Sequence, residues 1–261
     1  MTKFHRIGLS VVGIMAVIAT AAFVKFALFP TESAPAVRKA NPNPVAAVVP
    51  AEPEASPGLL IDHPESSLVA DSAKAQIPIY GSVGAAKATK TLRNPTMEGM
   101  PLIFAVKERQ DGWIKVQLPV RPNEATGWVR ESDVNVRTVS THIVVEVEAR
   151  KLSAFRGSEL VMEAPVGVGT PKTPTPLGTF YVDFSVPNPG PGYGRHMLSV
   201  AGFSNVLKNF GGGFGQIAIH GTNNLASVGE FSSNGCLRMT NDDVVRLAKL
   251  VEAGSPVIVL P

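Results

Sequence analysis

The sequence predicts a mainly β protein: a small β-barrel followed by a β-rich unit with one packed helix, both downstream of an apolar N-terminal segment. Three observations carry this. Short β-branched and apolar runs alternate with turn signals from about Ser67 onward. Only the segment after Thr240 spaces its apolar residues at the helical period. Finally, an uncharged apolar run lies between basic N-terminal residues and a Pro-rich stretch.

Residues 1–29 form the first element. Lys3, His5 and Arg6 precede 18 uncharged, mostly apolar residues, Ile7 to Val24, and apolar character resumes from Phe26 to Phe29. The run is longer than a secretory h-region of about 7–15 residues and matches a membrane span of about 17–25, so an anchor is expected ahead of a cleaved signal. Ala19-Thr20-Ala21 and Ala34-Pro35-Ala36 are the competing cleavage sites. Positive charge before the run sets the N-terminus in the cytoplasm and everything after Phe29 outside, in the cell envelope. Residues 30–66, with Pro42, Pro44, Pro50, Pro53 and Pro57, read as a semi-extended tether.

Residues 67–138 carry the barrel. Leu102 to Val106 reads as a strand, Asp111-Gly112 as a tight hairpin turn, and Trp113 to Leu118 as the alternating partner strand. Gly127-Trp128-Val129 begins another. Several short strands without an amphipathic helix imply a small closed sheet, with Trp113 and Trp128 expected in its core and a ligand platform as the alternative reading of both. The order Asp111-Gly112-Trp113, then Thr126-Gly127-Trp128-Val129, ending in Ser132-Asp133-Val134, resembles bacterial SH3-like domains.

Residues 139–261 form the second unit. Strands are expected at His142 to Val147, Leu160 to Val168, Gly178 to Phe184, Met197 to Val200 and Gln216 to Ile219. The helix is entered through Thr240 and Asn241, with Asp242 and Asp243 in its first turn and Val244, Leu247, Ala248 and Val251 on its apolar face. Gly254 and Pro256 end it, and Val257 to Leu260 is a closing strand.

Lys and Arg total 24 against 21 Asp and Glu, a formal charge of +3, with the basic residues scattered, so nucleic-acid binding is not indicated. One Cys and five dispersed His give no metal-ligand spacing, so no metal and no cofactor are expected. The lone Cys236 excludes an intramolecular disulfide, and a free thiol in an exported chain is either an inert buried group or a reactive one. Two stretches favour chemistry: Ile217-Ala218-Ile219-His220-Gly221-Thr222, a His ending an apolar strand, and Ser232-Ser233-Asn234-Gly235-Cys236-Leu237-Arg238-Met239, a thiol just ahead of a helix N-terminus. A neighbouring imidazolium and, more weakly, that helix are expected to lower the thiol pKa. The Gly235 and Cys236 amides are expected to face a developing oxyanion, and Arg238 to share the Cys236 side if the piece is extended.

The His220-to-Asn224 and Ser232-to-Met239 stretches, 16 residues apart from His220 to Cys236, resemble the signature of the L,D-transpeptidase (YkuD-type) catalytic domain. Gly167-Val168-Gly169-Thr170 and Thr173-Pro174-Thr175-Pro176-Leu177-Gly178-Thr179-Phe180 are similar to the family's segment before the site. The resemblance implies Cys236 as nucleophile, His220 as base, the Gly221 carbonyl as the group orienting His220, Ser233 and Gly235 as shapers of the loop, and Arg238 as a supporting cation. Asn234 stands where some members have His, and Gly221 where some have Ser. Tyr193 and His196 are candidates for the cleft wall, with strand packing as the alternative reading of both.

The activity implied is acyl transfer on peptidoglycan stem peptides: release of the terminal D-Ala of a tetrapeptide through a Cys thioester, then attack by a stem amine to form a 3→3 cross-link. Carbapenem acylation of the thiol is expected with it. The rivals are an L,D-carboxypeptidase or other murein hydrolase on the same site, and a non-catalytic wall-binding module.

Overall fold

The computed structural model describes residues 64–210 and 213–261. The expected anchor, 1–29, and nearly all of the tether lie outside the described residues. Among the described residues, no helix is long and apolar enough to cross a membrane.

The first part folds as β1 (Ser67–Ser72), β2 (Gln76–Ile79), β3 (Lys90–Arg93), β4 (Ile103–Gln110), β5 (Trp113–Gln117), β6 (Thr126–Arg130) and β7 (Val134–Val139). Five of these pair antiparallel in the order β6-β5-β4-β1-β7, and β2 pairs with β3. The β4–β5 hairpin turns through Asp111 and Gly112, both at positive φ (47° and 79°), the conformation a two-residue hairpin of this hand demands. Strand alternation sends Ile114 and Val116 inward with Phe104, Ile77, Ile79 and Val129. Trp113 and Trp128 are not in that core, contrary to expectation. They sit half-buried on the other face, Trp113 edge-on to Tyr80 with Arg130 4.9 Å above its ring, and Trp128 under Lys115.

The second part runs through β8 (Thr141–Glu146), β9 (Lys151–Arg156), β10 (Glu159–Pro165), β11 (Val168–Gly169), β12 (Gly178–Pro187), β13 (His196–Phe203), β14 (Gln216–Thr222), β15 (Phe231–Ser233), β16 (Leu237–Thr240), α1 (Asn241–Leu250) and β17 (Pro256–Leu260). Eight of the strands form one sheet, β10-β9-β8-β17-β12-β13-β14-β16, whose β14–β16 pair is parallel. The Thr240 hydroxyl caps α1 by accepting the Asp243 N–H at 3.1 Å, and its own proton goes to the Asp243 carboxylate. Val244 and Leu247 press α1 onto Leu198, Ile217, Ile219, Leu237 and Met239, one continuous core. Burying each such side chain contributes roughly 1.5–3 kcal/mol.

The opposite face of this sheet does two jobs. At β12, Tyr181 is fully buried against Val69, Ile103 and Val139 of the smaller sheet, its hydroxyl donating to the Ile103 carbonyl at 3.1 Å. Arg121 donates to the Leu207 and Phe214 carbonyls at 2.9 Å, so the smaller sheet also ties down the segment between β13 and β14. From β13 to β16 the same face lines a cleft, with Met197, Ser199, Ala218 and Cys236 in its wall.

Candidate active site

Period-two alternation decides which side chains reach this cleft. Ile217, Ile219, Leu237 and Met239 are buried in the core, so Ala218 and His220 on β14, and Arg238 on β16, occupy the other face. His220 is register partner of Arg238 in the parallel pair, and Cys236 immediately precedes β16 on the same side. His220 on β14 and Cys236, one residue ahead of β16, therefore lie on the same face of adjoining segments. Cys236 is half-buried and forms part of the wall of a cleft of about 400 Å³ with Tyr193, Met197, Ser199, Phe184 and Phe214.

His220 is only 4% exposed, and its Nδ1 lies 2.8 Å from the Gly221 carbonyl oxygen. A carbonyl can only accept, so Nδ1 carries the proton and Nε2 keeps a free lone pair. That tautomer is the one a base facing a thiol requires. Gly221 is small for a reason: a Cβ there would come within 2.4 Å of Asn241 Oδ1 and 3.1 Å of Val244 Cγ1. Asn241 Oδ1 also accepts the Arg195 N–H at 2.8 Å, and Gly194 packs on Gly221, so the start of α1 fixes the 190–196 loop. This places the Tyr193 ring 5.0 Å from that of His220, edge-on.

The loop before Cys236 is held from within and from outside. The Ser233 hydroxyl accepts the Gly235 N–H at 3.0 Å and donates to the Cys236 carbonyl at 2.5 Å. Gly235 stands at φ +112°, which side chains rarely allow. Buried Thr175 accepts the Gly169 N–H at 2.9 Å and donates to the Gly235 carbonyl at 3.1 Å, and Thr170 N–H donates to the Ser233 carbonyl. The Gly169-to-Thr175 segment is thus a brace for the thiol loop, a role that sequence reasoning did not assign although it marked the segment as similar to the family's.

Two expectations are corrected here. The Gly235 amide, expected to face an oxyanion, is used by Ser233. His196 is not in the cleft wall: β13 begins at His196, so its side chain shares the Leu198 side, opposite Met197 and Ser199, and its Nε2 bonds Ser185 Oγ at 2.8 Å. Asn234 is exposed, and its Oδ1 accepts from Thr173 Oγ1. Arg238 donates to the Ser232 carbonyl at 3.2 Å rather than pairing with the helix acids: Asp242 pairs with Arg195 and Asp243 with Thr240.

The electrostatics also differ from expectation. Burial pushes the Cys236 thiol up, offset in part by the Ala218 backbone amide and Arg238, which both favour thiolate. Burial holds His220 down, its Gly221 bond opposing and Arg238 reinforcing that effect. Burial thus drives each group towards its neutral form. Among the described residues, no group of three His, Cys, Asp or Glu side chains is placed to hold a metal ion.

A family model of the L,D-transpeptidase catalytic domain, YkuD, matches residues 140–259. A Bacillus subtilis protein named as L,D-transpeptidase YkuD is 36% identical over 122 residues, 47% of this chain and 67% of that one. The chain belongs to the L,D-transpeptidase family. The Bacillus licheniformis protein of the same name is 36% identical over 127 residues, spanning 49% of this L,D-transpeptidase and 70% of its relative. A solved L,D-transpeptidase from Mycobacterium smegmatis overlays 57% of this chain and 90% of its own at 18% identity, with a TM-score of 0.37.

Proposed function

We propose that this L,D-transpeptidase forms 3→3 peptidoglycan cross-links through a Cys236 acyl-enzyme. The single observation carrying the reading is the contact of His220 Nδ1 with the Gly221 carbonyl, which, with no Nε2 partner among the described residues, leaves Nε2 as the basic nitrogen on the face that bears Cys236. His220 Nε2 takes the Cys236 proton as Sγ bonds to the carbonyl carbon between the third stem residue and terminal D-Ala. The C–N bond then breaks, the same proton passes to the departing D-Ala amine, and a thioester remains. A stem amine attacks that carbon, gives its proton to Nε2, and the thiolate leaves and is reprotonated. Arg238 stabilises thiolate along this path, its charge lowering the thiol pKa.

The five-stranded sheet supports an SH3-like module over 67–138, preceding a catalytic domain over 139–261. The apolar run Ile7 to Val24 supports an anchored protein acting outside the membrane, and a mature N-terminus at Ala22 or Val37 would contradict that. The strained ring of a carbapenem suits the same thiol, so intact-mass measurement should find one drug added per chain and none in Cys236→Ser. The decisive experiment is incubation of tetrapeptide stem with an amine acceptor. Cross-linked dimer or exchanged D-amino acid, absent in Cys236→Ala, is expected; tripeptide alone at every acceptor concentration would make the enzyme a carboxypeptidase.

A further inference from the structure

A second cavity of about 370 Å³ adjoins the Cys236 cleft, and Met97, Glu98, Phe184, Phe214 and Gln216 wall both. Most of its remaining lining is apolar: Leu92, Leu102, Ile103, Val120 and Phe203. Two carboxylates line it, exposed Glu98 and half-buried Asp183. Asp183 lies where β12 shifts register between Val182 and Phe184, on the cleft side of the sheet. Gln216 Nε2 donates to its Oδ2 at 2.7 Å and the Phe184 N–H to its Oδ1 at 3.0 Å, with the Ser199 hydroxyl a further donor. All three are neutral, and among the described residues no Lys, Arg or His forms an ion pair with Asp183. The other charged residues on the cavity, Arg93 and Glu98, are exposed. A negative charge held by neutral donors in an apolar wall is costly unless a cation completes it.

The register fixes how far this charge is from the chemistry. Phe184 faces Ser199, Ser199 faces Ala218, and the parallel β14–β16 ladder continues that row to Cys236. The carboxylate leans on Ser199 of β13, two strand spacings from Cys236, or roughly 10 Å at about 4.8 Å each. An attacked carbonyl lies roughly 3 Å from Sγ. A side chain of four methylenes ending in an amine reaches roughly 6–7 Å further from that carbonyl. The two lengths together match the gap, and a short side chain on the same residue falls well short.

We infer that the Asp183 cavity is a subsite for the terminal ammonium of a long diamino side chain on the stem residue whose carbonyl Cys236 attacks. The inference rests on the proposed acyl transfer and deepens it: Asp183 selects the third residue by charge and length, while Gln216 and Ser199 hold its carboxylate in the common wall of the two cavities.

The test compares D-Ala release from L-Ala–γ-D-Glu–L-Lys–D-Ala and from its Nε-acetyl-lysine counterpart, by wild-type full chain and by Asp183→Asn. In the wild type, acetylation should raise KM about tenfold or more, the scale of one charge-assisted hydrogen bond. In Asp183→Asn, the free-amine peptide should lose that advantage, bringing the two peptides within about twofold of each other, while Asp183→Glu restores part of it. An acetylation penalty of equal size in wild type and variant would overturn the inference. If Asp183→Asn does not fold, the carboxyl carbon of Asp183 is followed by NMR in Cys236→Ala protein. Bound free-amine peptide should move its titration midpoint down and acetylated peptide should not; a midpoint indifferent to the free amine overturns the subsite. Wild-type cleavage of both peptides with equal KM removes the inference and leaves acyl transfer standing. Cleavage of neither removes both.

Discussion

The two ends of the cleft were built by opposite means. At the thiol end, the reacting groups come from contiguous motifs, and a short parallel ladder sets His220 beside Arg238 with Cys236 one residue ahead of Leu237. Burial there favours neutral thiol and neutral imidazole. At the far end, Asp183, Ser199 and Gln216 come from three strands and meet only through register. There too burial opposes charge, pushing the Asp183 carboxyl up to about 6, yet three donors still leave it largely ionised at neutral pH. The difference teaches that one low-polarity cleft can hold a proton-transfer pair at rest and a standing negative charge, if the donors around each are chosen differently.

The largest effect that sharpens this contrast is at the thiol end. Cys236→Ala should lower D-Ala release from tetrapeptide by at least about 10³-fold, and His220→Ala by about 10²–10⁴-fold. Steady-state assays check both, and a His220→Ala enzyme within about threefold of wild type would remove the base. A smaller loss is expected at the support. Gly221→Ala drives a methyl into Asn241 Oδ1, 2.4 Å away, and should cost about 1–3 kcal/mol in denaturant unfolding while loosening the carbonyl that orients His220. An unchanged midpoint would show that Asn241 yields freely.

The smallest effect belongs to the far end and is a slope. Folded Asp183 keeps its proton up to about pH 6, whereas an unfolded Asp releases it near about 4. Between those values the native state binds more protons, so its stability falls as pH rises and is fully present only below about pH 4. Whatever offset a mismatched amide adds, wild type should lose stability relative to Asp183→Asn across about pH 4 to 6, then run parallel. Thermal unfolding of the pair measures this; a difference independent of pH would mean that Asp183 titrates as an ordinary surface acid.

What was legible in the sequence follows the same division. His220, Gly221, Ser233, Gly235 and Cys236 sit in two short stretches, and α1 announces itself through Thr240, its acids and its 3.6 spacing. Asp183 carries no local signal, because its neighbours Ser199 and Gln216 are 16 and 33 residues away in the chain. His196 was misplaced because a strand read from Met197 gives it no face; starting β13 one residue earlier turns it away from the cleft. The Gly235 amide was misread because the Ser233 hydroxyl, two residues back, competes for it locally. Trp113 and Trp128 show that aromatic content alone does not say which face of a small sheet is the core.

The central claim, a buried Cys236 thiol whose proton is drawn off by neutral His220, is tested most directly by the rate of Cys236 alkylation with iodoacetamide across pH 5 to 10. The account predicts measurable reactivity at neutral pH that collapses in His220→Ala, with no plateau of full thiolate reactivity on the acid side. Identical profiles in the two proteins would reduce Cys236 to an inert buried thiol, and an acid-side plateau in wild type would replace the neutral pair with a preformed thiolate–imidazolium pair.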